Sequence, residues 1–265
     1  MKLSISNLAW SMPEDELVYE QMQKRGFAGL EIAPTRVWEE NPYERGMEAK
    51  NWAKELKLRY GFSVPSMQSI WYGRSEKIFG SKAERQALID YTKKAIRFAE
   101  AIGCGNLVFG CPRNRFFPDG ANPQIGIDFF RKIGNYAVVH HTCIGLEANP
   151  PIYQTNYINT TQQALDIISE VGSQGLKLNL DVGTMIANEE DVSLLEGKVE
   201  LINHIHVSEP FLKPIKKHSL HRELATFLRR TGYDRYISIE MGRVMSLSTI
   251  WEVMAYVQEV FIEKD

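Results

Sequence analysis

Short apolar runs and longer helical patterns alternate eight times along this chain, and few folds can absorb that regularity. Leu3–Trp10, Ala28–Ala33, Phe62–Ile70, Asn106–Gly110, Cys143–Glu147, Leu176–Leu180, Ile202–Val207 and Tyr236–Glu240 read as strands. Helical patterns follow each of them: Pro13–Arg25, Met47–Tyr60, Lys82–Ile102, Gly126–His141, Thr160–Val171, a weaker one at Asp191–Leu195, Leu220–Arg230 and Leu247–Ile262. Asn159 is the expected cap of the fifth helix in that series. The strands are rich in Ile, Leu and Val, as strands buried on both faces are. Eight such units in 265 residues predict one α/β domain, a (β/α)₈ barrel over residues 1–265. An open doubly wound sheet would want a glycine-rich turn after the first strand. Here that turn is Ala9-Trp10-Ser11-Met12-Pro13, which offers no phosphate cradle.

Composition narrows the partners. Thirty-one basic residues face thirty-three acidic ones, a net charge of -2 that gives no case for nucleic acid. Cys104, Cys111 and Cys143 form neither a disulfide framework nor a CxxC pair. The N-terminus runs straight into alternation without a signal-peptide block, and no window offers eighteen consecutive apolar residues. The expectation is a soluble cytoplasmic protein with no membrane partner.

Chemistry in a barrel sits at the C-terminal ends of the strands. Four consecutive predicted strands end in potential ligands: Glu147, Asp181, His206 and Glu240, at spacings of 34, 25 and 34 residues. Adjacent strands would aim all four at one axial region. Three converging carboxylates repel unless a cation lies among them. Three carboxylates and an imidazole suit Mn²⁺, Mg²⁺, Co²⁺ or Zn²⁺, and the imidazole tilts the choice toward Mn²⁺ or Zn²⁺. His204, two residues before His206, reads as a core histidine that supports its neighbour. Ser208 and Glu209 follow and are placed to orient His206 or touch substrate.

With those residues in order, the chain resembles the xylose isomerase-like TIM barrels. This superfamily includes sugar phosphate isomerases/epimerases, ketose 3-epimerases, hydroxypyruvate isomerases, inosose dehydratases and endonuclease IV. The resemblance covers essentially the whole chain. It rests on Leu146-Glu147, Leu180-Asp181-Val182-Gly183, His204-Ile205-His206-Val207-Ser208-Glu209 and Ile239-Glu240. It implies one divalent ion held by Glu147, Asp181, His206 and Glu240, with the two glutamates also moving protons. The implied reaction is isomerisation or epimerisation of a sugar, sugar phosphate or sugar acid, through proton abstraction beside a carbonyl and a metal-stabilised enediolate. A polyol or inosose dehydratase would use the same metal, and a non-catalytic sugar-binding barrel is the alternative of another class. Relatives are often dimers or tetramers, so the resemblance allows a homo-oligomer.

Three positions depart from the family pattern. Thr184 replaces a substrate-holding histidine, Tyr153 replaces a glutamate, and the arginine beyond the strand-seven histidine has only Lys213, Lys216 and His218 nearby. Trp10, Gln68, Trp71, Tyr72, Asn149, Thr184, Glu209, Lys216 and His218 are the candidates for binding a carbohydrate. Arg74, Arg113 and Arg115 sit in long loops. The third and fourth strands end in Ser66-Met67-Gln68-Ser69 and Phe109-Gly110-Cys111, without the histidines that a trinuclear zinc endonuclease needs.

Overall fold

A computed structural model describes residues 1–263. Seven parallel strands form one sheet: β1 (Lys2–Ser6), β2 (Gly29–Glu31), β3 (Leu107–Phe109), β4 (Ile144–Leu146), β5 (Leu176–Asp181), β6 (Ile202–Ser208) and β7 (Tyr236–Glu240). Their order is β2-β1-β7-β6-β5-β4-β3. The gap between the edge strands β2 and β3 is closed by residues 63–67, which bridge Gly29 to Ser63, Ile32 to Met67 and Met67 to Leu107. The sheet thus curls into the eight-membered ring of a TIM barrel.

The expected third strand, Phe62–Ile70, survives only as those bridges. Pro65 lies in its middle, and a proline has no N–H to give to a ladder. Its neighbours still bond both ways: Ser63 N donates to Ala28 O at 3.1 Å, and Met67 N to Asn106 O at 2.9 Å.

The helices are α1 (Asp15–Lys24), α2 (Pro34–Val37), α3 (Gly46–Tyr60), α4 (Lys82–Ile102), α5 (Gln124–Val139), α6 (Thr161–Val171), α7 (Val182–Ala187), α8 (Ser219–Arg230) and α9 (Leu247–Phe261). The short helices α2 and α7 are additions to the sequence reading, and two expected features differ from it. Thr160, not Asn159, caps α6: its hydroxyl accepts from Gln163 N at 3.2 Å, while the Asn159 amide donates to Asn149 O and Thr155 O. The helix expected at Asp191–Leu195 is a single 3₁₀ turn over Val192–Leu195, because α7 starts directly after β5. Among the described residues, no helix is long and apolar enough to cross a membrane.

Strand periodicity divides the residues between two environments. Leu3, Ile5, Leu178, Leu180, Ile205, Val207, Ile237 and Ile239 are fully or nearly fully buried in the apolar core. The alternate positions are polar, yet equally buried: Ser4, Ser6, Asn179, His204, His206 and Ser238. Barrel interiors usually hold layers of branched aliphatics. This one holds a hydrogen-bonded network, as buried polar groups require. Asn106 is its knot, donating to Ser66 Oγ at 3.0 Å and Asn179 Oδ1 at 3.2 Å, and accepting from Asn203 Nδ2 at 3.0 Å.

Asn106→Ala strands those partners at a cost of about 1–3 kcal/mol for each buried group left unsatisfied. Urea unfolding measures it; a change within error would show that the network does not hold the barrel interior.

Candidate active site

The first positioning device lies in the β5–β6 pairing, where Asn203 of β6 is the extra, unpaired residue. A register shift between Leu178 and Asn179 breaks the regular pairing of the two strands. Leu178 faces Ile202, so an unbroken ladder would set Asp181 against Ile205. After the shift, Asn179 faces His204 and Asp181 faces His206. A bulge re-aims side chains in this way beside many sites. Asp181 also caps α7, accepting from Thr184 N at 2.6 Å and from the Ser208 hydroxyl at 2.5 Å. The Ser208 oxygen in turn accepts from Gly183 N at 2.9 Å. A β-carbon at Gly183 would lie 2.7 Å from that oxygen, so glycine is required there.

His206 is the centre of the cluster and is fully buried. Its Nδ1 lies 3.2 Å from Glu147 Oε2 and 3.2 Å from Glu240 Oε2. Glu147, Asp181 and His206 each offer a ligand atom within 4.8 Å of the others. On the far side of the ring, His206 Nε2 donates to Glu31 Oε1 at 2.9 Å. Glu31 lies at the end of β2, is completely buried, and also accepts from Ser66 Oγ at 2.8 Å. Asn179 Nδ2 donates to Glu147 Oε2 at 2.8 Å, and Asn149 Nδ2 to Glu147 Oε1 at 3.1 Å. A β-carbon at Gly110 would come within 2.8 Å of Glu147 Oε1, so this glycine leaves the carboxylate its room.

The electrostatics are those of crowded like charges. Burial, reinforced by the Glu147 carboxylate, pushes Asp181 up to about 6. Burial pushes Glu240 up to about 7, against the pull of His206. Burial disfavours the His206 imidazolium, but Glu240 and Glu31 outweigh it and hold the ring well above its ordinary value. A divalent cation relieves this repulsion. The donor set fits one: three carboxylates and an imidazole nitrogen, with the other ring nitrogen tied to a carboxylate, as in metal sites generally. Glu147, Asp181, His206 and Glu240 are the residues that would hold it.

A pocket of about 220 Å³ opens above the cluster and is lined by Glu147, Asp181, Glu240, Gln68, Asn149 and Glu209 among others. Of the carbohydrate-binding candidates, Gln68, Asn149 and Glu209 face it. The others do not. Trp10 is buried, its Nε1 donating to Asp15 Oδ1 at 2.7 Å, and Trp71 is buried against Phe109 with its Nε1 on Thr92 Oγ1. Thr184 is buried and spends its hydroxyl on Ala148 O. Lys216 contributes its backbone N–H to Glu209 Oε1 at 2.9 Å, while its side chain lines a separate groove with Lys213 and Lys217. His218 stands behind Glu209, its Nε2 2.8 Å from the same oxygen.

Several contributors were not legible as site residues. Glu31 ends a short strand in Gly29-Leu30-Glu31, and only its place at a strand end could have marked it. Arg115 reads as a loop arginine but is fully buried, donating to Glu147 O at 2.7 Å, Asn149 Oδ1 at 3.0 Å and Ile158 O at 3.1 Å. Tyr153 lines the pocket, and its hydroxyl accepts from Phe211 N at 2.8 Å, clasping two rim loops. Cys111 also lines the pocket, but burial pushes its thiol up to about 12, so it is no nucleophile at neutral pH.

The family model that matches this chain is described as Xylose isomerase-like TIM barrel and covers residues 19–255. Among solved structures, the chain resembles 3-keto-D-glucoside 4-epimerase from E. coli (TM-score 0.75, 18% identity, 97% of this chain and 99% of that one). It also resembles D-psicose 3-epimerase from Clostridium cellulolyticum H10 (TM-score 0.78, 14% identity, 98% and 99%). A third is the IOLI protein with a binding zinc atom (TM-score 0.74, 15% identity, 99% and 100%). At these identities the likeness is one of fold. No curated protein shows a significant sequence match.

Gly110→Ala crowds Glu147 without removing any donor. It is expected to weaken Zn²⁺ binding by about 10–100-fold, the usual effect of disturbing the groups that hold a ligand in place. Competition against a chromogenic chelator measures the affinity, and an unchanged value would exclude Glu147 from the metal shell.

Proposed function

This chain belongs to the xylose isomerase-like TIM barrel family, and from that premise we propose that it is a divalent-metal-dependent isomerase or epimerase of a neutral sugar. The observation that carries this reading is the convergence of the Glu147 and Glu240 carboxylates, each 3.2 Å from His206 Nδ1, at the floor of a polar pocket. Glu147, Asp181, His206 and Glu240 hold the ion. Zn²⁺ or Mn²⁺ suits this donor set best, and the zinc in the IOLI structure favours the former. When bound, such an ion polarises a substrate carbonyl and offsets the negative charge that develops on its oxygen.

The proton transfers belong to the two glutamates. Glu147 ends β4 and Glu240 ends β7, with β5 and β6 between them. They reach the cluster from different sides of the ring. One removes the proton beside the carbonyl and the other returns a proton from the opposite side, which favours epimerisation over transfer to the neighbouring carbon. Asn149 and Asn179 fix the Glu147 carboxylate by hydrogen bonds from both of its sides. Gln68 and Glu209 are left to hold sugar hydroxyls, Glu209 being oriented by His218 and the Lys216 amide.

The charge of the pocket selects against anions. Among the described residues its lining holds four carboxylates and no lysine or arginine. The nearby Arg115 has both terminal nitrogens committed to protein oxygens. A divalent ion compensates two of those four charges. A phosphate or carboxylate on the substrate would still meet a negative wall.

With Zn²⁺ or Mn²⁺ present, neutral ketoses are expected to take up solvent deuterium at the carbon beside the carbonyl, faster than their phosphates do. Glu240→Gln is expected to slow the exchange by about 10²–10⁴-fold. Exchange at the wild-type rate in that variant would refute the proton-transfer assignment, and preference for a phosphate would refute the neutral substrate.

A further inference from the structure

The metal pocket continues sideways. A second chamber of about 500 Å³ shares Leu8 and Ser69 with it and is completed by Ala33, Thr35, Arg36, Glu39 and Tyr72. Its walls come from the loops after β1, after β2 and after the 63–67 segment. Those loops are clipped together: Ala33 N donates to Asn7 Oδ1 at 2.9 Å and Gln68 N to Ile32 O at 2.9 Å, while Tyr72 N closes a turn within its own loop on Ser69 O at 2.9 Å.

The lining is that of a polar ligand with one flat face. Thr35, Arg36 and Glu39 supply a hydroxyl, a guanidinium and a carboxylate. Arg36 is held in place, its Nη2 2.5 Å from Asp15 Oδ1 and its guanidinium 5.5 Å from the Trp10 ring centroid. Tyr72 leaves 71% of its surface exposed, an aromatic face with no aromatic or cationic partner among the described residues. Between the two chambers stands Ser69, with φ at 54° in the left-handed region. A non-glycine residue there is uncommon, and such backbone tends to be kept where a site requires it.

We propose that this second chamber is a subsite for a second sugar ring, so that the substrate is a neutral glycoside or disaccharide whose reacting ketose sits in the metal pocket. The inference rests on the proposed function and deepens it. The reacting ring meets the carboxylates contributed by β4, β5 and β7, and the second ring lies over Leu8 and Ser69. There it stacks on Tyr72 and hydrogen-bonds to Thr35 and Glu39, the mixture of aromatic face and convergent polar groups that orients a small ligand.

Calorimetric titration of the Zn²⁺-loaded protein with D-fructose and with the ketose disaccharides turanose, maltulose and isomaltulose tests this without turnover. The three linkages present the second ring from different carbons. At least one disaccharide is expected to bind more tightly than D-fructose, and Tyr72→Ala is expected to shrink that advantage by about fivefold. Thr35→Trp, which fills the chamber, is expected to abolish it. The inference is overturned if no disaccharide outbinds D-fructose, or if the advantage survives both variants. A disaccharide advantage without deuterium exchange in any ketose would uphold the subsite and overturn the proton-transfer reading instead.

Discussion

Three carboxylates gathered around one buried imidazole, two of them buried and Asp181 half-buried, are the constraint on which this structure turns. Among the described residues none of Glu147, Asp181 and Glu240 has a lysine or arginine as its partner, and burial first, with the neighbouring carboxylates second, raises Asp181 and Glu240. Such a cluster persists only if neighbouring structure over-determines it. The bulge at Asn203 in β6, the α7 cap, Gly110 and Gly183 each act on a single carboxylate. The fold holds its charges together through local backbone geometry, and a cation supplies the counter-charge.

The rim divides into two halves with different work. β4 to β7 contribute the proposed metal ligands and proton-transfer groups. The loops after β1, after β2 and after residues 63–67 contribute a chamber with no metal ligand. Glu31 crosses that division. It belongs to the binding half by position, yet it reaches beneath the floor to His206 Nε2. Through Ser66 it is tied to Asn106 and then to Asn179, which touches Glu147. The polar barrel interior thus links the two halves in one hydrogen-bonded chain.

Much of this was legible in the sequence. Strand-period alternation placed β5, β6 and β7 and their terminal residues, because their apolar positions alternate with polar ones buried in the barrel interior. Helix α4 has the bounds expected of it, Lys82–Ile102, and is capped by Ser81 and Gly103. The residue-63 segment was less so, since its apolar run conceals what Pro65 does to the ladder. The carbohydrate-facing residues were the least legible. Trp10 and Trp71 carry the composition of a sugar platform, but a large ring gains more from burial than a loop position reveals. Arg115 looked solvent-facing because its acceptors, Glu147 O and Ile158 O, lie 32 and 43 residues away. Only three-dimensional proximity identifies backbone carbonyls as partners.

Glu31, His204 and His206 raise the question of a second ion, since they too bring ligand atoms within 4.8 Å of one another. The chemistry of His206 argues against it. Its Nε2 donates to Glu31, which fixes the proton on that side of the ring and turns Nδ1 toward Glu147 and Glu240. An ion on Nε2 would require the ring to lose both protons and bridge two metals as an imidazolate. Glu31 is already supplied with charge compensation: the two histidines, despite its burial, hold it well below the carboxylate range. His204 stands 3.6 Å from Glu31 Oε2, with its ring nearly perpendicular to that of His206. The trio is therefore the support of a single metal centre, and the direction of one N–H bond decides on which side of the imidazole that centre lies.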